Sequence, residues 1–195
     1  MLPLTAPTPI IIYRMLRFSY RNMGFIYTTT LHIMMNQSIE IERRTALAEE
    51  FFMKGFNCCQ SVVAAYADLY GYSERQALQL SAGFGGGIGR LRLTCGAACG
   101  MVVLAGMECG SADENDREGK SENYRVVQQL LKRFEELFGT ITCAELLKLK
   151  SGAPLSYEAS ERTAEYYRSR PCLNQVVAAA RIFGEWLEER RKQLP

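Results

Sequence analysis

The chain has 195 residues, 48% of them apolar and 23% charged, which is enough apolar material for one well-buried globular domain. Its net charge of +2 is uneven: Arg14, Arg17 and Arg21 give residues 1–35 a charge of +3 with no acid, and the remaining 20 basic and 21 acidic residues leave the body at −1. That argues against a nucleic-acid-binding face on the body. The only histidine, His32, also precedes residue 36, which disfavours Ser-His or Cys-His catalysis, histidine-ligated zinc and c-type haem in the body.

Residues 1–35 contain Pro3, Pro7 and Pro9 and the run Ile10-Ile11-Ile12, but no uninterrupted apolar stretch long enough to span a bilayer. A bilayer span needs about 20 such residues, so no stable membrane span is expected. We read 1–35 as an N-terminal extension, disordered or left by an over-extended translation start near Met34 and Met35, with a basic targeting segment or surface anchor as the alternative. Residues 36–195 then form the cysteine-bearing domain.

Ile41, Leu47, Ala48, Phe51 and Phe52 recur with helical period from Ile39 to Lys54, and Gly55 closes that helix. Asn57 opens a second helix that ends at Gly71, and Ser73-Glu74-Arg75-Gln76 has capping-box order for a third reaching about Ala82. The connection Gly83-Phe84-Gly85-Gly86-Gly87-Ile88-Gly89 fits G-x-G-x-x-G in no register and follows no strand, so it is not read as a nucleotide loop. Its glycines instead let backbone pass close to a site or take positive φ. Arg90 and Arg92 beside it are placed to hold an anion, to offset thiolate charge, or to be solvated.

The stretch from Thr94 to Cys109 is almost uncharged, carries Cys95, Cys99 and Cys109, and predicts a central buried helix capped by Thr94, with Cys95 in its first turn. Asp113, Asn115 and Asp116 form a turn, since the glycine and glutamate of an EF-hand are missing. Tyr124, Val127, Leu130, Leu131, Phe134 and Phe138 predict a long amphipathic helix ending at Gly139. A short helix from Cys143 to about Lys148 follows, with Thr142 and Glu145 in capping-box order. After a Gly152-Pro154 break come a helix-like stretch from Tyr157 to Tyr167 and a last helix with Val176, Ala180, Phe183 and Leu187 on one face and Trp186 near it. The fold class is all-α: a single-domain helical bundle with a glycine-rich loop before its central helix.

Four cysteines thus begin four helices: Cys58 after Asn57, Cys95 after Thr94, Cys143 after Thr142 and Cys172 after Pro171. The positive end of a helix favours thiolate over thiol, so each is a candidate ligand or nucleophile. Seven cysteines without a clean secretory signal point to a reducing, cytoplasmic compartment, where thiols are metal-binding or redox-active.

Written together, Cys58, the block Cys95-Gly96-Ala97-Ala98-Cys99-Gly100, Cys143 and Cys172 resemble the redox-active protein family named for a C-GCAxxG-C-C pattern. Gly55-Phe56-Asn57-Cys58 with Gln60, Gly83 to Gly87, and Phe138-Gly139 are similar too, and the resemblance spans roughly residues 45 to 188. It implies that the functional cysteines are Cys58, Cys95, Cys143 and Cys172. Cys59, Cys99 and Cys109 are extra in this chain, and Cys99 lies one helical turn from Cys95.

Two chemistries use these four residues. One is a thiol-disulfide couple that exchanges electrons with a redox partner protein. The other is a four-thiolate zinc or iron-sulfur site, for which the usual local CxxC knuckles are absent. A non-enzymatic accessory binding module is a third class. Buried packing as small apolar residues accounts best for Cys59, Cys99 and Cys109.

Overall fold

The computed structural model describes residues 40–193; the N-terminal extension and His32 lie outside them. Among the described residues eight α-helices and two 3-10 turns form the structure, and there is no β-strand. In chain order these are α1 (Ile41–Met53), α2 (Cys58–Ala64), the 3-10 turn Ala67–Tyr70, α3 (Glu74–Ser81), the 3-10 turn Ala82–Phe84, α4 (Gly96–Cys109), α5 (Arg117–Phe138), α6 (Cys143–Leu146), α7 (Ala164–Ser169) and α8 (Cys172–Gln193). The fold is all-α, and none of the described helices is long and apolar enough to cross a membrane.

Local signals account for most of the helix boundaries. Ser73 and Gln76 close a capping box on α3, and Asp116 accepts from the Gly119 N–H at 2.7 Å to start α5, so the polar turn ends by becoming a helix cap. α5 stops at Gly139, which takes the left-handed conformation with φ 77°. The second helix is shorter than its periodicity predicts: it ends at Ala64, and only a 3-10 turn continues to Tyr70. The stretch from Tyr157 is a further correction, since only Ala164–Ser169 is helical, capped by Thr163, and 157–163 is irregular.

α4 occupies the middle, packed against α2, α5 and α8, while α8 also runs along α1. Close approach of α2 and α4 depends on Gly100, where a Cβ would lie 2.7 Å from the Cβ of Val62. The buried stripe of α5 is Val126, Leu130 and Phe134; Tyr124, which the periodicity placed on that face, is exposed. Tyr66 is fully buried, stacks edge-on against Phe183 at 5.0 Å and donates its hydroxyl to the Ala180 carbonyl at 2.8 Å. One end of this bundle gathers the starts of α2, α4, α6 and α8 around a cavity of about 420 Å³.

Candidate functional site

The starts of α4 and α6 are held side by side by a single antiparallel bridge between Thr94 and Thr142. Within it the Cys95 N–H donates to the Ile141 carbonyl at 2.8 Å and the Cys143 N–H to the Leu93 carbonyl at 2.6 Å. Both threonines therefore have a role other than the predicted one. Thr94 does not cap α4; Cys95 itself is the cap residue and the helix begins at Gly96. Thr142 precedes α6 without a side-chain cap, and Glu145 bonds to the Thr140 hydroxyl instead of completing a box.

The start of α2 follows its local sequence. Asn57 Oδ1 accepts from the N–H groups of Cys59 and Gln60, each at 3.1 Å, and Gln60 Oε1 accepts from the Asn57 N–H at 3.0 Å. Asn57 Nδ2 also donates to the Ala82 carbonyl at 2.9 Å, which ties the helix bearing Cys58 to the start of the glycine-rich loop.

That loop is a left-handed coil. Gly86, Gly87, Ile88, Gly89 and Arg90 have φ between 56° and 72°, and Arg92 has φ 63°. For residues with a Cβ this conformation costs about 1–2 kcal/mol each, and for a β-branched residue such as Ile88 it is a marked outlier. Gly87 has no alternative: a Cβ there would stand 2.6 Å from the Cβ of Cys143 and 2.8 Å from the Leu93 nitrogen. The strained backbone crosses directly over Cys143 and brings Arg90 and Arg92 to the cavity wall.

All four helix-start cysteines, Cys58, Cys95, Cys143 and Cys172, line this one cavity, while Cys59, Cys99 and Cys109 do not. Cys59 and Cys99 are buried where α2 meets α4, and the Cys109 thiol donates to the Ala105 carbonyl at 3.2 Å. Cys58 and Cys172 lie close enough in the cavity that each thiol perturbs the ionisation of the other.

The electrostatics correct the expectation that every helix start yields a thiolate. Burial pushes Cys95 up to about 12, against the opposing pull of the Ala97 and Ala98 N–H groups. It also raises Cys143, although the Arg92 guanidinium beside that thiol works in the other direction. Cys58 is held well above the ordinary range, first by the neighbouring Cys172 sulfur and then by burial. Only Cys172 falls below the ordinary thiol range, because the neighbouring Cys58 thiol favours its anion and Arg170, Arg162 and Arg92 face it. Removal of a sulfur from water outweighs half a unit charge at a helix end, above all where the helix is as short as α6.

Arg162 and Arg170 were not legible as site residues, because they flank α7 far from the glycine-rich loop in sequence. Arg162 donates to the Phe56 carbonyl at 3.3 Å, and both guanidiniums stack on Tyr166, at 4.5 Å and 4.7 Å from its ring centre. Arg90 is braced by the Ser156 carbonyl at 2.8 Å and the Ser160 hydroxyl at 3.0 Å.

Among the described residues no three of Cys, His, Asp or Glu are grouped so as to hold a metal ion. Cys58 is engaged with Cys172, Cys95 faces the first N–H groups of α4, and Cys143 faces Arg92.

Fold and site together define an all-helical protein with a thiol-lined, arginine-rimmed cavity under a glycine-rich loop. The chain belongs to the family described as "Putative redox-active protein (C_GCAxxG_C_C)", whose model matches residues 56–186. No curated protein and no solved structure matches the chain.

Proposed function

We propose that this protein is a thiol-disulfide electron carrier in which Cys172 is the attacking sulfur and Cys58 the resolving one. The observation that carries this reading is that the two cysteines line one cavity as neighbours, with Arg92, Arg162 and Arg170 lining it too and facing Cys172. An attacking thiol is most effective when its pKa lies near the ambient pH, and the guanidiniums around Cys172 move it in that direction, below the ordinary thiol range. Family membership supports the broader redox role.

In the forward step the Cys172 thiolate attacks one sulfur of an oxidised acceptor's disulfide. The acceptor's S–S bond breaks, a Cys172 mixed disulfide forms, and the leaving thiolate takes the proton of Cys58. The Cys58 thiolate then attacks the Cys172 sulfur and displaces the acceptor's second thiolate, which a proton from water neutralises. Two electrons pass to the acceptor, which leaves as a dithiol, and the protein is left with a Cys58–Cys172 disulfide. A redox partner protein with a reducing dithiol reverses these steps and restores the carrier. Cys95 and Cys143, both held as thiols by burial, are second-rank electron donors in this scheme.

Mass spectrometry of protein alkylated before and after reduction, with peptide mapping, tests the assignment. Mild oxidation is expected to yield a Cys58–Cys172 cross-linked peptide that reductant removes. Oxidation that leaves both cysteines alkylatable would sink it.

A further inference from the structure

The cavity carries more positive charge than its thiols need. Arg90 and Arg92 reach it from the glycine-rich loop, and Arg162 and Arg170 from either end of α7. No aspartate or glutamate lines it. Among the described residues none of these four arginines takes part in an ion pair with a carboxylate, whereas Arg43, Arg44, Arg125, Arg133, Arg168, Arg181 and Arg190 all do. A Cys172 thiolate offsets one guanidinium charge and leaves the others facing one another.

Two further observations point to a missing acceptor. Nη1 of Arg162 is buried without a hydrogen-bond partner, a costly state for a charged donor that a bound anion relieves. Ile88, Arg90 and Arg92 all accept a left-handed backbone in the segment that delivers two of the guanidiniums, which is strain of the kind kept at ligand clamps. Planar guanidinium forks match phosphate and carboxylate oxygens, and a space of 420 Å³ is at the small-molecule end of the pocket range of about 300–1,000 Å³.

We propose that this cavity binds a small molecule carrying at least two anionic oxygen groups, phosphate or carboxylate, clasped by Arg90 and Arg92 from the loop and by Arg162 and Arg170 from α7. That the bound anion is also what the thiols act upon rests on the redox reading above; the binding itself does not.

Isothermal titration of the full chain with pyrophosphate and, separately, citrate tests this, with a neutral polyol of similar size as control. Saturable binding of at least one anion and none of the polyol is expected, weakening as sodium chloride rises. The two anions tell a phosphate from a carboxylate ligand. The double variant Arg90→Gln/Arg92→Gln, and separately Arg170→Gln, should each lose at least tenfold in affinity. Arg133→Gln, whose ion pair with Glu189 lies outside the cavity, should not. Circular dichroism melts confirm that each variant is folded. The double variant Cys58→Ser/Cys172→Ser should keep binding even though disulfide formation is lost, so failure of the redox assignment leaves this test intact. Binding of neither anion, or binding equally strong in the folded arginine variants, would overturn the proposal.

Discussion

Cys58 and Cys172 meet in the same cavity, although the two residues begin the second and the last helices of the described chain. Three guanidiniums face Cys172 and favour its anion while burial keeps Cys58 a thiol, which gives the proposed pair its direction: Cys172 attacks and Cys58 resolves.

The first consequence is a pH profile. The rate of Cys172 alkylation by iodoacetamide, read by peptide mass spectrometry, should rise and level off at a lower pH than an ordinary thiol, whereas Cys58 and Cys95 should react only under alkaline conditions. Cys58→Ala removes the neighbouring thiol and should move the Cys172 inflection upward. An unchanged inflection in Cys58→Ala would show that the arginines alone set it.

Gly87 and Gly89 separate steric demand from backbone conformation. Both have positive φ, but nothing lies within 4 Å of a Cβ at Gly89, while one at Gly87 meets Cys143 and Leu93. Gly89→Ala should cost about 1–2 kcal/mol from the left-handed conformation. Gly87→Ala should cost that and about 1–3 kcal/mol more for overpacking. Urea denaturation would measure both, and equal losses would refute the close crossing over Cys143.

Arg44 links stability to acid. It is buried and donates to the Ala65 carbonyl at 2.7 Å and to both Asp68 oxygens at 2.7 and 3.0 Å. That bond holds the Asp68 carboxyl below its ordinary range. A carboxyl depressed on folding adds stability above its unfolded pKa, about 3.9, and that stability is lost as pH falls through the lower folded value. Asp68→Asn should therefore lower stability at neutral pH by about 1 kcal/mol, since Asp68 is solvent-screened, and by less in strong acid. A loss of stability independent of pH would refute the assignment.

Cys59 and Cys99 should be dispensable for electron transfer. Cys59 is fully buried, and burial pushes its thiol far up, so Cys59→Ala should leave the cross-linking of Cys58 and Cys172 unchanged while lowering the melting temperature slightly. Loss of that cross-link in a folded Cys59→Ala protein would shift the redox pair away from Cys172.

Chelation provides a fifth check. Because no three donors are grouped to hold an ion among the described residues, EDTA or an iron chelator should leave both the melting temperature and the Cys58–Cys172 cross-link unaltered. Protein purified without oxygen that contains stoichiometric iron and absorbs visible light would instead require the thiols to rearrange around a cluster.

Short-range chemistry made much of the molecule legible before folding. The capping boxes of Asn57 with Gln60 and Ser73 with Gln76, the Gly139 stop and the apolar periodicities specify helices because their hydrogen bonds close within a few residues. The same reasoning picked out Cys58, Cys95, Cys143 and Cys172 as helix starts, and these four line one cavity. Tertiary structure decided what those starts do. The Thr94–Thr142 bridge, the contact of Cys58 with Cys172 and the arrival of Arg162 and Arg170 are long-range pairings with no local signature. Which sulfur becomes the anion depends on how much water each loses and which charges surround it, and that is set only when distant segments pack.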